Sequence, residues 1–138
     1  MFPLRSIIVP ALERRLPKVI GPKTHGVIDY AHVAFFFGVA VLCRKSNRPA
    51  ALAALGTSAF VLVQSLLTDY PLGVMPVISF ETHGKIDASF ASGSWAIPKA
   101  LGFSGTPAAK IFEGNSVVEG AVVGLTDFSN QRARQGEV

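Results

Sequence analysis

One cysteine among 138 residues, Cys43, rules out an internal disulfide and any metal cluster built on thiolates. It sits in an apolar run, as a small core or lipid-facing residue does. Charge is also scarce. Charged residues are 16% of the chain, against about a quarter in ordinary soluble domains, and the mean hydropathy is +0.41, which moves the composition toward a membrane protein. There is no Gly-x-Ser-x-Gly elbow, no cysteine nucleophile motif and no phosphate-cradling glycine loop, so hydrolase and nucleotide chemistry have no signature. No basic stripe with interleaved aromatics runs through the body. The net charge of +4 comes partly from a basic N-terminal segment and from Arg132 and Arg134, which suits an anionic lipid surface better than nucleic acid.

What the chain has is a repeat. Thr24-His25-Gly26-Val27-Ile28-Asp29 returns as Thr82-His83-Gly84-Lys85-Ile86-Asp87, and Leu67-Thr68-Asp69 returns as Leu125-Thr126-Asp127, at one offset of 58 residues. Fourteen of the 46 ungapped positions are identical. Chance gives about three, so the chain reads as a tandem duplication. Each half is too short to bury a core alone, and the halves are expected to fold against each other.

The chain divides into an N-terminal arm (1–23), a first helical hairpin (24–70), a linker (71–81), a second hairpin (82–128) and a polar tail (129–138). The arm carries Pro3, Pro10 and Pro17, with Glu13, Arg14 and Arg15 inside its apolar stretch; it reads as a broken amphipathic segment in the membrane interface or as a partner-binding arm. Thr24 and Thr82 are expected to cap the first and third helices. Helix 1 runs to about Cys43 and helix 2 from Pro49 to about Asp69, each long enough for one crossing. Pro98 should kink or end helix 3, and helix 4 covers about Ala108 to Asp127, with Gly120 and Gly124 as a small-residue pair for close helix approach. The fold expected is an all-α four-helix transmembrane bundle made of two tandem hairpins related by a pseudo-two-fold axis along the membrane normal. Both termini then fall on one face, where basic residues outnumber those opposite, which places them in the cytoplasm. A soluble helical bundle is the other architecture the polar second half leaves open.

Leu66-Leu67-Thr68-Asp69-Tyr70-Pro71-Leu72-Gly73, then Thr82-His83 and Asp87, then Ile97-Pro98-Lys99-Ala100-Leu101-Gly102-Phe103, resembles the SPW-repeat family of small bacterial integral membrane proteins. In the second motif Pro98, Gly102 and Phe103 match, while Ile97 and Lys99 stand where the family has serine and tryptophan. The resemblance covers residues 23 to 128 and implies a four-helix bundle in a bacterial inner membrane, with no established activity.

His25 and Asp29 are four apart and share a helix face with His32; His83 and Asp87 repeat the pair. Three readings follow. The first takes the polar residues as helix-packing groups of a structural or accessory membrane protein, a subunit of a homo-oligomer or larger complex with no catalytic activity of its own. Here Asp69 and Asp127, unfavourable at helix C-termini, find partners such as the neighbouring histidine. The second makes His25 and His83 ligands of haem b or a metal ion, oriented by Asp29 and Asp87. The third is a proton-coupled carrier using Asp29, Asp87, Glu113 and Glu119, whose bland version pairs Glu119 with Lys85 or Lys110.

Overall fold

The computed structural model describes residues 16–129. Most of the expected amphipathic arm and nearly all of the tail lie outside the described residues. Five helices are described: α1 (Pro22–Cys43), α2 (Arg48–Leu66), α3 (Phe80–Ser94), α4 (Ile97–Ala100) and α5 (Pro107–Leu125). Proline occupies the first turn of α1, α2, α4 and α5, where its missing N–H costs nothing and its fixed φ suits the helix. Two helices, α1 and α2, are long and apolar enough to cross a membrane.

Helix starts differ from the expected caps. α1 begins at Pro22 behind Gly21, and α3 begins at Phe80 behind Ser79, whose hydroxyl accepts from the Thr82 backbone N–H at 3.0 Å. Thr24 and Thr82 therefore sit inside the first turn, exposed, rather than ahead of it. α2 and α5 end at Leu66 and Leu125, short of the aspartates, because the chain beyond each of them leaves the helix to pair with another segment. Thr68 forms a parallel bridge with Ile78, and Thr126 forms one with Ile20. Ile78 N–H donates to Leu67 O at 2.8 Å, and Ile20 N–H donates to Leu125 O at 3.0 Å. The incoming segments satisfy carbonyls that a helix end leaves without partners. The linker does more of this: Val74 and Met75 both donate to Leu66 O at 2.9 Å.

α1 packs along α2, and α3 packs along α5. Within the pairs the contacts recur at the 58-residue offset: Ser58 Oγ donates to Val33 O, and Ser116 Oγ donates to Ala91 O. The second pair departs where Pro98 stands in place of Ala40. α3 stops at Ser94, a turn covers Trp95 and Ala96, and α4 adds one helical turn. Gly102 and Gly105, at φ of +79° and +76°, carry the chain into α5.

One end of the molecule is an apolar core of Phe36, Val39, Phe103 and Phe112 set against small residues Ala50, Ala54, Ala108 and Ala109. The other end is polar inside. His25, Asp29, Gln64, Thr68, His83, Asp87 and Thr126 are all buried there, while Val27, Phe35, Phe37, Leu42, Phe60, Val63 and Val117 face outward. Among the described residues no second helix of this chain lies against Gly120 or Gly124: a side chain at Gly120 would meet nothing nearby, and Gly124 faces Leu16 of the incoming segment.

Candidate metal centre

The four residues of the repeated His-x3-Asp motif converge. His25 and His83 are each 1% exposed, and Asp29 and Asp87 each 7%. The two Nε2 atoms are 3.3 Å apart. His25 Nε2 lies 3.4 Å from Asp29 Oδ1 and 3.1 Å from Asp87 Oδ2. His83 Nε2 lies 3.4 Å from Asp29 Oδ2 and 3.0 Å from Asp87 Oδ2. Each histidine thus faces its own aspartate one turn on and the aspartate of the other motif.

Close packing at the glycine between them makes this possible. A side chain at Gly84 would meet the Phe128 ring at 2.7–2.8 Å, and one at Gly26 would meet Tyr70 and Leu72 at 3.1 Å. Gly26 and Gly84 let the chain ends at 70 and 128 lie against α1 and α3, and those chain ends deliver the next partners.

The far nitrogens of the imidazoles are held by threonines across the repeats. His25 Nδ1 is 3.0 Å from Thr126 Oγ1, and His83 Nδ1 is 2.7 Å from Thr68 Oγ1. Each threonine hydroxyl donates its one proton back along its helix, Thr126 to Val122 O and Thr68 to Gln64 O, both at 2.6 Å. A carbonyl cannot donate, so each hydroxyl must accept from the histidine, which fixes the proton on Nδ1. In the neutral imidazoles both Nε2 lone pairs then point at each other and at two carboxylates. Four acceptor groups facing inward call for positive charge, supplied by a cation between them or by protons on the two Nε2 atoms.

The carboxylates are oriented from outside as well. Tyr70 Oη donates to Asp29 Oδ2 at 2.8 Å, and Gln64 Nε2 donates to Asp87 Oδ1 at 2.8 Å. Burial, followed by the Asp29 carboxylate, pushes the Tyr70 phenol well above its ordinary range, so it stays protonated and remains a donor.

No family model, curated protein or solved structure matches this chain.

The remaining candidates fall in different places. Asp69 and Asp127 do not bond the histidines; the threonines before them do. Asp127 Oδ1 instead accepts from Ser129, and the Asp69 N–H joins the bridge to Ile78. Glu119 is buried on α5, accepts from Asn115 Nδ2 at 3.0 Å rather than from a lysine, and borders a cavity of about 40 Å³ together with His25, Asp29, His32 and Asp87. Lys85 pairs at the surface with Glu81. Glu113 is half-buried on α5 and does not line that cavity. In this arrangement the two Nε2 atoms are 3.3 Å apart with both aspartates against them, which leaves no gap between the imidazoles for a haem macrocycle. Thr68 and Thr126, Gln64 and Tyr70 are the functional residues that reading the sequence for charged groups passes over. For the threonines the signal was there, in the repeat of Leu-Thr-Asp.

Proposed function

We propose that the chain is a small integral membrane protein that holds one divalent metal ion of the zinc class between His25, Asp29, His83 and Asp87. The donor separations carry this reading. A tetrahedral ion with bonds of about 2.0–2.1 Å has donor–donor edges of about 3.3 Å. His25 Nε2, His83 Nε2 and Asp87 Oδ2 form a triangle with edges of 3.3, 3.1 and 3.0 Å, and Asp29 places Oδ1 3.4 Å from His25 and Oδ2 3.4 Å from His83, the whole set lying within 4.8 Å. Two imidazoles and two carboxylates are a donor set that suits zinc, and one divalent ion balances the two carboxylate charges where a bare charge would be costly. The outer hydrogen bonds from Thr68, Thr126, Tyr70 and Gln64 are the support that metal-bound histidine and carboxylate require.

The membrane reading rests on the inverted polarity. At the polar end the buried groups are histidine, aspartate, glutamine and threonine, while Leu42 at the end of α1 is 82% exposed and Phe35 and Phe37 are 55% exposed. Such an exterior is stable against hydrocarbon. In this arrangement α1, α2, α5 and the broken α3–α4 segment form the four crossings of two tandem hairpins, with the pseudo-two-fold axis through the centre. Membership of the SPW-repeat family, and a structural or accessory role in a larger membrane assembly, accord with an ion that locks the hairpins together.

Metal analysis of detergent-purified protein tests the site. The expected result is one zinc per chain from zinc-supplied cells, lost in His25→Ala and in His83→Ala with the fold retained by circular dichroism. A wild-type protein that stays metal-free after zinc supply and dialysis would sink the assignment. For the membrane reading, Ser46→Cys in a Cys43→Ser background should react with an impermeant maleimide from the side opposite a C-terminal tag. Reaction from the same side would refute the hairpin topology.

A further inference from the structure

The donors of the centre are buried, so an ion reaches them only where the packing around them gives way. Three approaches are closed. At the polar end the Phe80 and Phe128 rings stand at steep angles to His25, with centroids 5.4 and 5.2 Å away, and the Tyr70 ring lies 5.5 Å from His83. Toward the middle of the bundle Asn115 Nδ2 donates to Ser94 Oγ at 3.4 Å, Ser94 Oγ donates to Phe112 O at 3.2 Å, and the apolar core begins behind them. On the flank between α2 and α3, Gln64 Nε2 reaches across to donate to His83 O at 3.3 Å and to Asp87 Oδ1 at 2.8 Å, with Val61 buried one turn before it.

The 58-residue offset relates that flank to a fourth approach, between α5 and α1, where the closing groups are replaced. Val122 stands in place of Gln64, Glu119 in place of Val61 and Asn115 in place of Thr57. Valine has no side-chain donor, so no counterpart of the Gln64 bridge ties α5 to α1. A cavity of about 40 Å³ lies there instead, with His25, Asp29 and Asp87 on one side and Asn115, Glu119 and Val122 on the other. It has room for a group the size of a water molecule.

We propose that the metal ion enters and leaves the centre through this flank, and that oxygens of Glu119 and Asn115 hold it on the way. The route rests on the metal reading above. Taking an ion out of water is costly, so an ion that sheds its hydration shell needs oxygens before it meets the four donors. At the matching positions the closed flank offers only Val61 and the short hydroxyl of Thr57. Glu119 serves in either protonation state, because a neutral carboxyl keeps an acceptor oxygen. His25 and Asp29 lie three and seven residues into α1, about 5 and 10 Å below its start. In the membrane reading the His25 and Val122 end of the cavity therefore opens near headgroup depth, where hydrated ions arrive. Among the described residues the polar contacts stop at Ser94 and the apolar core, which makes this a loading route for a resident ion and not a passage across the membrane. Neither Glu119 nor Asn115 belongs to the four-donor cluster, so their loss should change rates and spare affinity.

The test follows cobalt, whose visible bands report seating, in the full chain in nanodiscs: loading by stopped flow, and release of bound cobalt into excess chelator. Glu119→Val with Asn115→Thr installs the residues of the closed flank. Loading and release are both expected to slow by about tenfold or more, with the dissociation constant within about threefold of wild type. Glu119→Gln, which keeps an oxygen, should load within about threefold of the wild-type rate. If the double variant does not fold, Val122→Gln supplies the same test by installing the counterpart of the Gln64 bridge, and it is expected to slow both rates with Glu119 in place. Wild-type rates in these closed-flank variants, or faster release with weakened affinity, would overturn the route and leave the metal site standing. Glu119→Gln loading as slowly as the double variant would do the same. Wild-type protein that shows no cobalt bands would overturn the metal reading and the route with it.

Discussion

At the scale of single residues, the protons on Thr68 and Thr126 set which imidazole nitrogen of a neutral ring is left to face the centre. If either hydroxyl donated to its histidine instead of to the carbonyl four residues back, the Nε2 atoms would carry protons and the cluster would be a set of ordinary hydrogen bonds. The 2.6 Å contacts with Val122 O and Gln64 O exclude that arrangement and leave Nε2 bare in the neutral ring. Thr68→Val and Thr126→Val keep the side-chain shape and remove only the acceptor. Each is therefore expected to weaken zinc binding by about 10–100-fold, with the histidines still in place, as measured by competition with a chromophoric chelator. Equal effects are expected, because the two bonds are counterparts in the two repeats. Unchanged affinity would mean that the threonines only fill space. The sequence made His25, His83, Asp29 and Asp87 legible because four titratable groups recurring at one spacing in an apolar chain stand out. It pointed past the threonines to Asp69 and Asp127, because a charge at a helix end invites a partner, whereas a hydroxyl's role depends on where its one proton goes. That is a matter of three-dimensional contact.

At the scale of elements, the motif glycines explain why the repeats retain Thr-His-Gly-x-Ile-Asp rather than His and Asp alone. Alanine in mid-helix is ordinarily favoured over glycine by about 1 kcal/mol. At Gly84 the new carbon would lie 2.7–2.8 Å from the Phe128 ring, so that gain is overridden. Gly84→Ala is expected to destabilise by about 1–3 kcal/mol. In a Phe128→Ala background the same change should be neutral or stabilising, and a double-mutant cycle by thermal unfolding in detergent measures the difference. Additive effects would show that the ring is not what the glycine admits. Hairpin layout and helix interiors were readable from proline placement and from the length of the apolar runs. The ends were not. Gly21 and Ser79 took the cap positions expected for Thr24 and Thr82, and Leu66 and Leu125 ended helices drawn on to the aspartates, because the pairing of Ile78 with Thr68 and of Ile20 with Thr126 depends on segments distant in sequence. The break between α3 and α4 was anticipated from Pro98, whose counterpart Ala40 leaves α1 continuous.

At the scale of the molecule, each helix packs chiefly on its partner within a pair, α1 on α2 and α3 on α5. What joins the pairs at the polar end is the centre itself, which draws one histidine and one aspartate from each. A bound ion there is a cross-link between two units that each lack a sufficient core. Its contribution to stability follows from mass action: at free zinc a thousandfold above the dissociation constant, the folded state gains about 4 kcal/mol. For a chain of this size each kcal/mol moves the melting temperature by about 2–4 °C, so removing the ion should lower it by about 10 °C. Because the apolar core of Phe36, Phe103 and Phe112 lies at the other end, away from the ion, chelation should open the polar end first. Hydrogen exchange after chelator treatment is therefore expected to rise at residues 20–30, 66–70 and 80–88 before it rises near Phe36 and Phe112. Asp87→Asn, which keeps the shape but removes a ligand charge, should show the same exchange pattern without chelator and no further response to it. Uniform loss of protection along both hairpins would mean that the centre is only one contact among many, and an unchanged melting temperature would mean that nothing binds there.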